Sequence, residues 1–509
     1  MAGEATRKTA FDNDRYLAEQ TAAILERMSQ VGGKLYLEFG GKLLYDYHAS
    51  RVLPGFEPNV KMRLLQQLSS QTEIVLCIYA GDIDRRKVRG DFGITYDADT
   101  FKLIDDLREH GLEVRAVVIT RFNGEPAAEA FLNKLRRRGV RVYTHRSIPG
   151  YPTNVKSIVS DAGYGSNPYI ETDAPLVVVN APGPNSGKMG TCLSQVYHEH
   201  RRGVRAGYAK FETFPIWNLP LRHPVNAAYE AATAELRDVN MIDPFHLESC
   251  GEQAVNYNRD IEAFPLLKRI LETITGESMY LSPTEMGVNR AGFAIVDDGA
   301  ARNAGKHEIV RRYFRYACDV AVGIEEEDTV RRIEALLQEY DTRPEDRCVV
   351  LPARDAAGTA ERKGATGHRG IFSGAAVELP DGRVVTGHNS PLMHAASALV
   401  LNAIKQLAGI PRHLDLISPT VVSSIGALRK DVLGLGSISM NLEETLIALS
   451  VSATTNPTAL HAMEQLPRLK GCELHLTHLP TPGDERGLRR LGVNLTCDPN
   501  FASSKLFAS

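Results

Sequence analysis

The chain has 509 residues with 43% hydrophobic and 24% charged content, the make-up of an ordinary globular protein long enough for two to four domains. Its formal charge is only −3, which argues against a global pull toward nucleic acid or an anionic membrane. Seven cysteines without a C-x-x-C pair, no run of about 18 apolar residues and a polar start predict a reduced, cytoplasmic protein.

The stretch from Asn13 to Met28 has the spacing of an amphipathic helix. Lys34 to Ala49 is expected to form a hairpin around Gly40-Gly41, and Glu73 to Asp84 a strand running into a polar loop. Glu113 to Phe122 predicts a strand, Pro126 to Gly139 a helix and Val140 to Ile148 another strand. This strand–helix–strand alternation predicts a parallel sheet. "PLVVVN" (Pro175 to Asn180) and "VRAGYAKFET" (Val204 to Thr213) add two more buried strands.

Helical periodicity then dominates from Asn226 to Asp238, from Asp260 to Thr275, from Gly305 to Val322 and from Glu325 to Tyr340. The polar segment Asp341 to Arg347 is the expected boundary between domains 1–340 and 341–509. Beyond it, "CVVLPA" predicts a strand, Gly370 to Gly387 a hairpin, and Ser390 to Gly409 a helix capped by Ser390. The whole predicts a multi-domain α/β protein: an N-terminal parallel-sheet unit like those bearing phosphate loops, with a helical insertion, and a smaller C-terminal α/β unit.

"NAPGPNSGKMGTCLSQ" (Asn180 to Gln195) holds the most chemistry. A tight loop after a buried strand aims backbone N–H groups at an anion, and the following helix adds its positive end. Gly187-Lys188 match the core of G-x-x-x-x-G-K-[ST], but Pro182 replaces its first glycine and Met189 its hydroxyl residue. The expected cradle is Gly183, Asn185, Ser186, Gly187 and Lys188. Thr191 falls near the lysine's side of the helix, so Thr191, with Asp243, is the candidate Mg²⁺ ligand set; a helix cap or turn is the competing role for Asp243. "KFETFPIWNLPLRHPVN" offers Lys210, Glu212, Arg222 and His223 to a second substrate; a rigid packing loop around Phe214 and Trp217 is its competing reading. His388, Ser390 and His394 form a further polar cluster in the C-terminal unit.

"GPNSGKMGTCLSQVYHE", "KFETFPIWNLPLRHPVNAAYEAATA", "SPTEMGVNRAGFAI" and "HNSPLMHAASALVLNAIKQLAGI" together resemble a bacterial family of conserved proteins of unknown function, over essentially the whole chain. The resemblance implies a cytoplasmic location and the overall architecture. It brings no activity with it. The residues themselves point to binding of ATP, with Mg²⁺, for phosphoryl transfer or ATP-dependent ligation, with Lys188, Lys210, Arg222 and His223 doing the chemistry. The alternatives are an isomerase, lyase or transferase acting on a phosphorylated metabolite without nucleotide, or a non-catalytic anion-binding sensor or assembly protein. The expected partner is a phosphorylated small molecule, not nucleic acid or membrane, with homo-oligomerisation left open.

Overall fold

The computed structural model describes residues 9–89, 93–362, 370–434 and 437–502. The chain divides into two compact units, one from Lys8 to Gly305 and the other from Lys306 onward.

The first unit is built on six parallel strands: β1 (Lys34–Phe39), β2 (Thr72–Tyr79), β3 (Glu113–Thr120), β4 (Val142–Thr144), β5 (Leu176–Asn180) and β6 (Ala206–Phe211). Their order across the sheet is β4-β3-β2-β5-β1-β6. The central strands are buried nearly end to end, because elements cover both faces and neither side can alternate with polar residues. Helices α1 (Asn13–Val31), α2 (Tyr96–Glu109), α3 (Pro126–Arg137), α4 (Lys188–Arg201), α5 (Pro224–Ala232) and α6 (Asn258–Thr275) belong to this unit. On one face Tyr36, Val75, Cys77, Val177 and Val179 pack with Cys192, Leu193 and Val196 of α4 and Phe264, Leu267 and Leu271 of α6. A short antiparallel pair, β7 (Asn240–Ile242) with β8 (Val255–Tyr257), precedes α6.

The parallel topology overrules the expected hairpin at Gly40-Gly41. β1 lies between β5 and β6, and the chain leaves it through a turn into a short helix, Tyr47–Val52. Gly40 serves a different need: a Cβ there would come 2.5 Å from Cγ of Glu212.

Helix α7 (Asp298–Ala321) runs through the division between the units, and α8 (Glu327–Glu339) comes after it. The expected "CVVLPA" strand is instead the start of helix α9 (Val350–Arg362), with Pro352 in the first turn, where its missing N–H is harmless. A mixed sheet in the order β10-β9-β11-β12 forms from β9 (Gly374–Glu378), β10 (Val384–His388), β11 (Glu473–Leu476) and β12 (Asn494–Cys497). It packs with α10 (Ala395–Ala408), α11 (Leu442–Ala453) and α12 (Pro482–Leu491).

The expected boundary segment Asp341 to Arg347 is tied down at its far end. Arg347 is 3% exposed, and its guanidinium donates to the carbonyls of Leu474 and Asn494, to Thr496 and to Glu473. The cap of α10 is His394 and not Ser390, whose hydroxyl accepts from the N–H groups of Leu392 and Met393 in the preceding turn. Among the described residues, no helix is long and apolar enough to cross a membrane.

Candidate functional site

Open parallel sheets bind ligands at the carboxyl ends of their strands. In the first unit that edge carries the loop after β5, from Ala181 to Gly187. Two residues of it are left-handed, Asn185 at φ 54° and Gly187 at φ 87°. Gly187 is required twice over: its φ disfavours a side chain, and a Cβ would meet Thr120 at 2.9 Å. A Cβ on Gly183 would meet the Tyr96 ring at 2.5 Å.

Neighbouring strands clamp the loop by its carbonyl groups. Thr120 Oγ1, at the end of β3, donates to the Ser186 carbonyl at 2.7 Å, and Arg121 donates to that of Asn185. The Arg121 guanidinium also stacks 3.5 Å over the Tyr79 ring at the end of β2. The N–H groups are left over. No described residue accepts from the backbone N–H of Gly183, Asn185, Ser186, Gly187, Lys188, Met189 or Gly190, and no side chain caps α4. Ser186 Oγ is buried without a partner among the described residues. Lys188, the first residue of α4, is half-buried and forms no hydrogen bond or ion pair with a described residue.

The candidate metal ligands are otherwise engaged. Thr191 is 1% exposed and faces the interior, its Oγ1 3.4 Å from Cys77 Sγ and 3.5 Å from His145 Nδ1. Burial pushes the His145 pKa down to about 3 and the Cys77 thiol up to about 12, so this polar pocket beneath the helix is uncharged. Asp243 is fully buried and caps the helix that starts at Pro244. Its Oδ1 accepts from Phe245 and His246 N–H, and its Oδ2 from Thr284 N–H and Oγ1. The cap role is the one its geometry fills.

His223 is likewise a cap. It is 0% exposed, its Nδ1 accepts from Val225 N–H, and its Nε2 lies 2.9 Å from Asp298 Oδ1. Arg222 beside it is exposed. Trp217 is a packing residue whose indole N–H donates to the Asn289 carbonyl.

Lys210, on β6, is at the centre of a group of which the sequence offers only Glu212 beside it. Its Nζ is 2.5 Å from Asp260, in the first turn of α6, and 3.0 Å from Glu212. Strand register sets Glu38 of β1 beside Lys210, and Tyr208 donates to Glu38 at 2.6 Å. Burial drives the Glu212 carboxyl up to about 7 against the pull of Lys210, and the carboxylates hold Lys210 firmly protonated. Glu38 is the one acidic residue of "KLYLEF", next to its last position, and an acid in a buried, mostly apolar strand is the available signal; Asp260 carries none.

The same register measures the separation of the two features. Glu38 pairs with Val179 on β5 and with Lys210 on β6, so Lys210 lies two strand spacings, about 10 Å, from the strand that feeds the loop.

Comparison with known proteins sets this arrangement in a family. Residues 9–341 match the N-terminal, and residues 345–507 the C-terminal, model of the domain of unknown function DUF1846. The chain belongs to the DUF1846 family. Its relatives include a UPF0371 protein of Clostridium botulinum (strain Alaska E43 / Type E3), 56% identical over 501 residues that cover 98% of this chain and 99% of the relative. A UPF0371 protein of Clostridium tetani (strain Massachusetts / E88) is 53% identical with the same coverage. The join between the two family models falls between 341 and 345, later than the division between the compact units at Gly305 and Lys306.

Proposed function

We propose that this DUF1846 member binds a phosphorylated small molecule at the Gly183–Gly190 loop. The observation that carries the reading is the run of backbone N–H groups, from Gly183 to Gly190, without a protein acceptor among the described residues. Buried or half-buried amides demand partners, and here those of every residue in the run but the exposed Asn185 lead into a lysine with no described partner at the start of a 14-residue helix. A phosphate supplies several acceptor oxygens and the charge that suits a helix N-terminus. Ser186 Oγ adds one more donor within the loop.

Titration of ATP and of inorganic phosphate into the wild type and Lys188→Ala tests this. Loss of the charge-assisted contact is expected to cost about 1.5–3 kcal/mol of binding. Unchanged affinity for whichever probe binds best overturns the reading.

A second reading keeps ATP with Mg²⁺ and phosphoryl transfer or ligation. The Gly187-Lys188 pair opening a helix after a central strand favours it. Met189 and the interior engagement of Thr191 and Asp243 favour instead a phosphate ester held without those residues on a metal. EDTA separates the two: it abolishes ATP binding under the second reading and leaves phosphate-ester binding intact under the first.

A further inference from the structure

We infer that the Lys210–Glu212–Asp260 group, with Glu38 and Tyr257, is a subsite for the hydroxylated part of the phosphate ester, of the sugar-phosphate or polyol-phosphate class. This rests on the cradle reading above and specifies the other end of its ligand.

Four observations support it. The group stands at the carboxyl ends of β1 and β6, on the same sheet edge as the loop and about 10 Å from β5, the span of a small phosphate ester rather than a separate pocket. It is recessed but reachable: the side chains of Lys210, Glu212 and Asp260 keep 16%, 26% and 17% of their surface. Gly40 leaves no bulk over Glu212, since any Cβ there would collide with its side chain. Finally, the Tyr257 hydroxyl is buried and lacks a hydrogen-bond partner among the described residues, and Tyr257 ends β8 directly before α6, whose first turn carries Asp260. An unpartnered hydroxyl beside a charged cluster is the cost a binding site carries before its ligand arrives.

The ligand chemistry comes from the mixture of groups. Carboxylates only accept hydrogen bonds, an ammonium only donates, and a phenol does both. A neutral hydroxyl satisfies all three. An ammonium on the ligand would instead meet the Lys210 ammonium, which already occupies the place between Glu212 and Asp260.

Calorimetric titration of the full chain with inorganic phosphate, glucose 6-phosphate and ribose 5-phosphate tests the inference. At least one sugar phosphate is expected to bind about tenfold more tightly than inorganic phosphate. Tyr257→Phe and Glu212→Gln are expected to erase that advantage while leaving inorganic phosphate affinity unchanged. Tyr257→Phe removes only an unpartnered hydroxyl, so its fold is safe, and a thermal melt confirms both variants are folded. Equal affinity for the three probes, or an advantage that survives both substitutions, overturns the subsite alone. Binding of none of the three overturns the cradle, and the subsite with it.

Discussion

At the scale of single residues, the loop after β5 is governed by backbone shape. Gly187→Ala forces a Cβ to within 2.9 Å of Thr120 at a left-handed φ. It is expected to destabilise the chain by about 1–3 kcal/mol, seen as a lower midpoint in urea, and to weaken phosphate binding as well. Glu212 gives a pH signature. Its carboxyl is raised from 4.5 to about 7, so between those values the folded state holds a proton that the unfolded state releases. Its contribution is complete below about pH 4.5 and lost as pH rises through 7. Glu212→Gln is therefore expected to flatten the fall in stability from pH 5 to 7.5; an unchanged slope assigns that fall to other groups. The glycine and lysine of the loop are legible because a local motif encodes them. Of the partners of Lys210 only Glu212, two residues on, is legible, since Glu38 and Asp260 lie 172 and 50 positions from it along the chain, and only strand register and the start of α6 unite them.

Whole elements show where local pattern decides and where it does not. The long periodic stretches form helices α1, α3, α6 and α8 because an apolar stripe of three or more turns has one stable reading. "CVVLPA" misleads because six apolar residues suit a strand or a buried helix equally, and the residues after it, Arg354 to Arg362, extend the helix. Gly40-Gly41 misleads because a glycine pair marks tight backbone and does not say whether it turns a hairpin or makes room for Glu212. The segment before α9 has the composition of a polar linker, yet Arg347 binds across β11 and β12. Arg347→Ala strips one partner from Glu473, whose carboxyl Arg311 and Arg347 together hold far below its usual range. Breaking such a buried pair is expected to cost about 3–5 kcal/mol. Hydrogen exchange should show β11 and β12 opening first, while β1 and β5 keep their protection.

For the whole molecule, the chain divides in two different places. The family models join between 341 and 345, but the contacts of α7 from Lys306 onward group it with the C-terminal residues. Arg311 is salt-bridged to Glu473 at 2.8 Å, the Phe314 ring lies 4.8 Å from that of His475, and Cys318 Sγ is 3.4 Å from Cys497 Sγ. These contacts all reach β11 or β12, so α7 supplies part of the wall for that sheet. A fragment beginning at residue 345 would leave His475 and Glu473 without those partners and expose the surface that Phe314, itself 1% exposed, now covers. Burial of one such aromatic is worth about 1.5–3 kcal/mol, a large fraction of the stability of a domain this size. A fragment from Asp298 to Ser509 is therefore expected to unfold cooperatively in a thermal melt, and one from Glu345 to Ser509 to melt at least about 5 °C lower, a loss of about 2 kcal/mol. Equal melting of the two fragments would move the boundary to the join between the family models and reduce α7 to a connector.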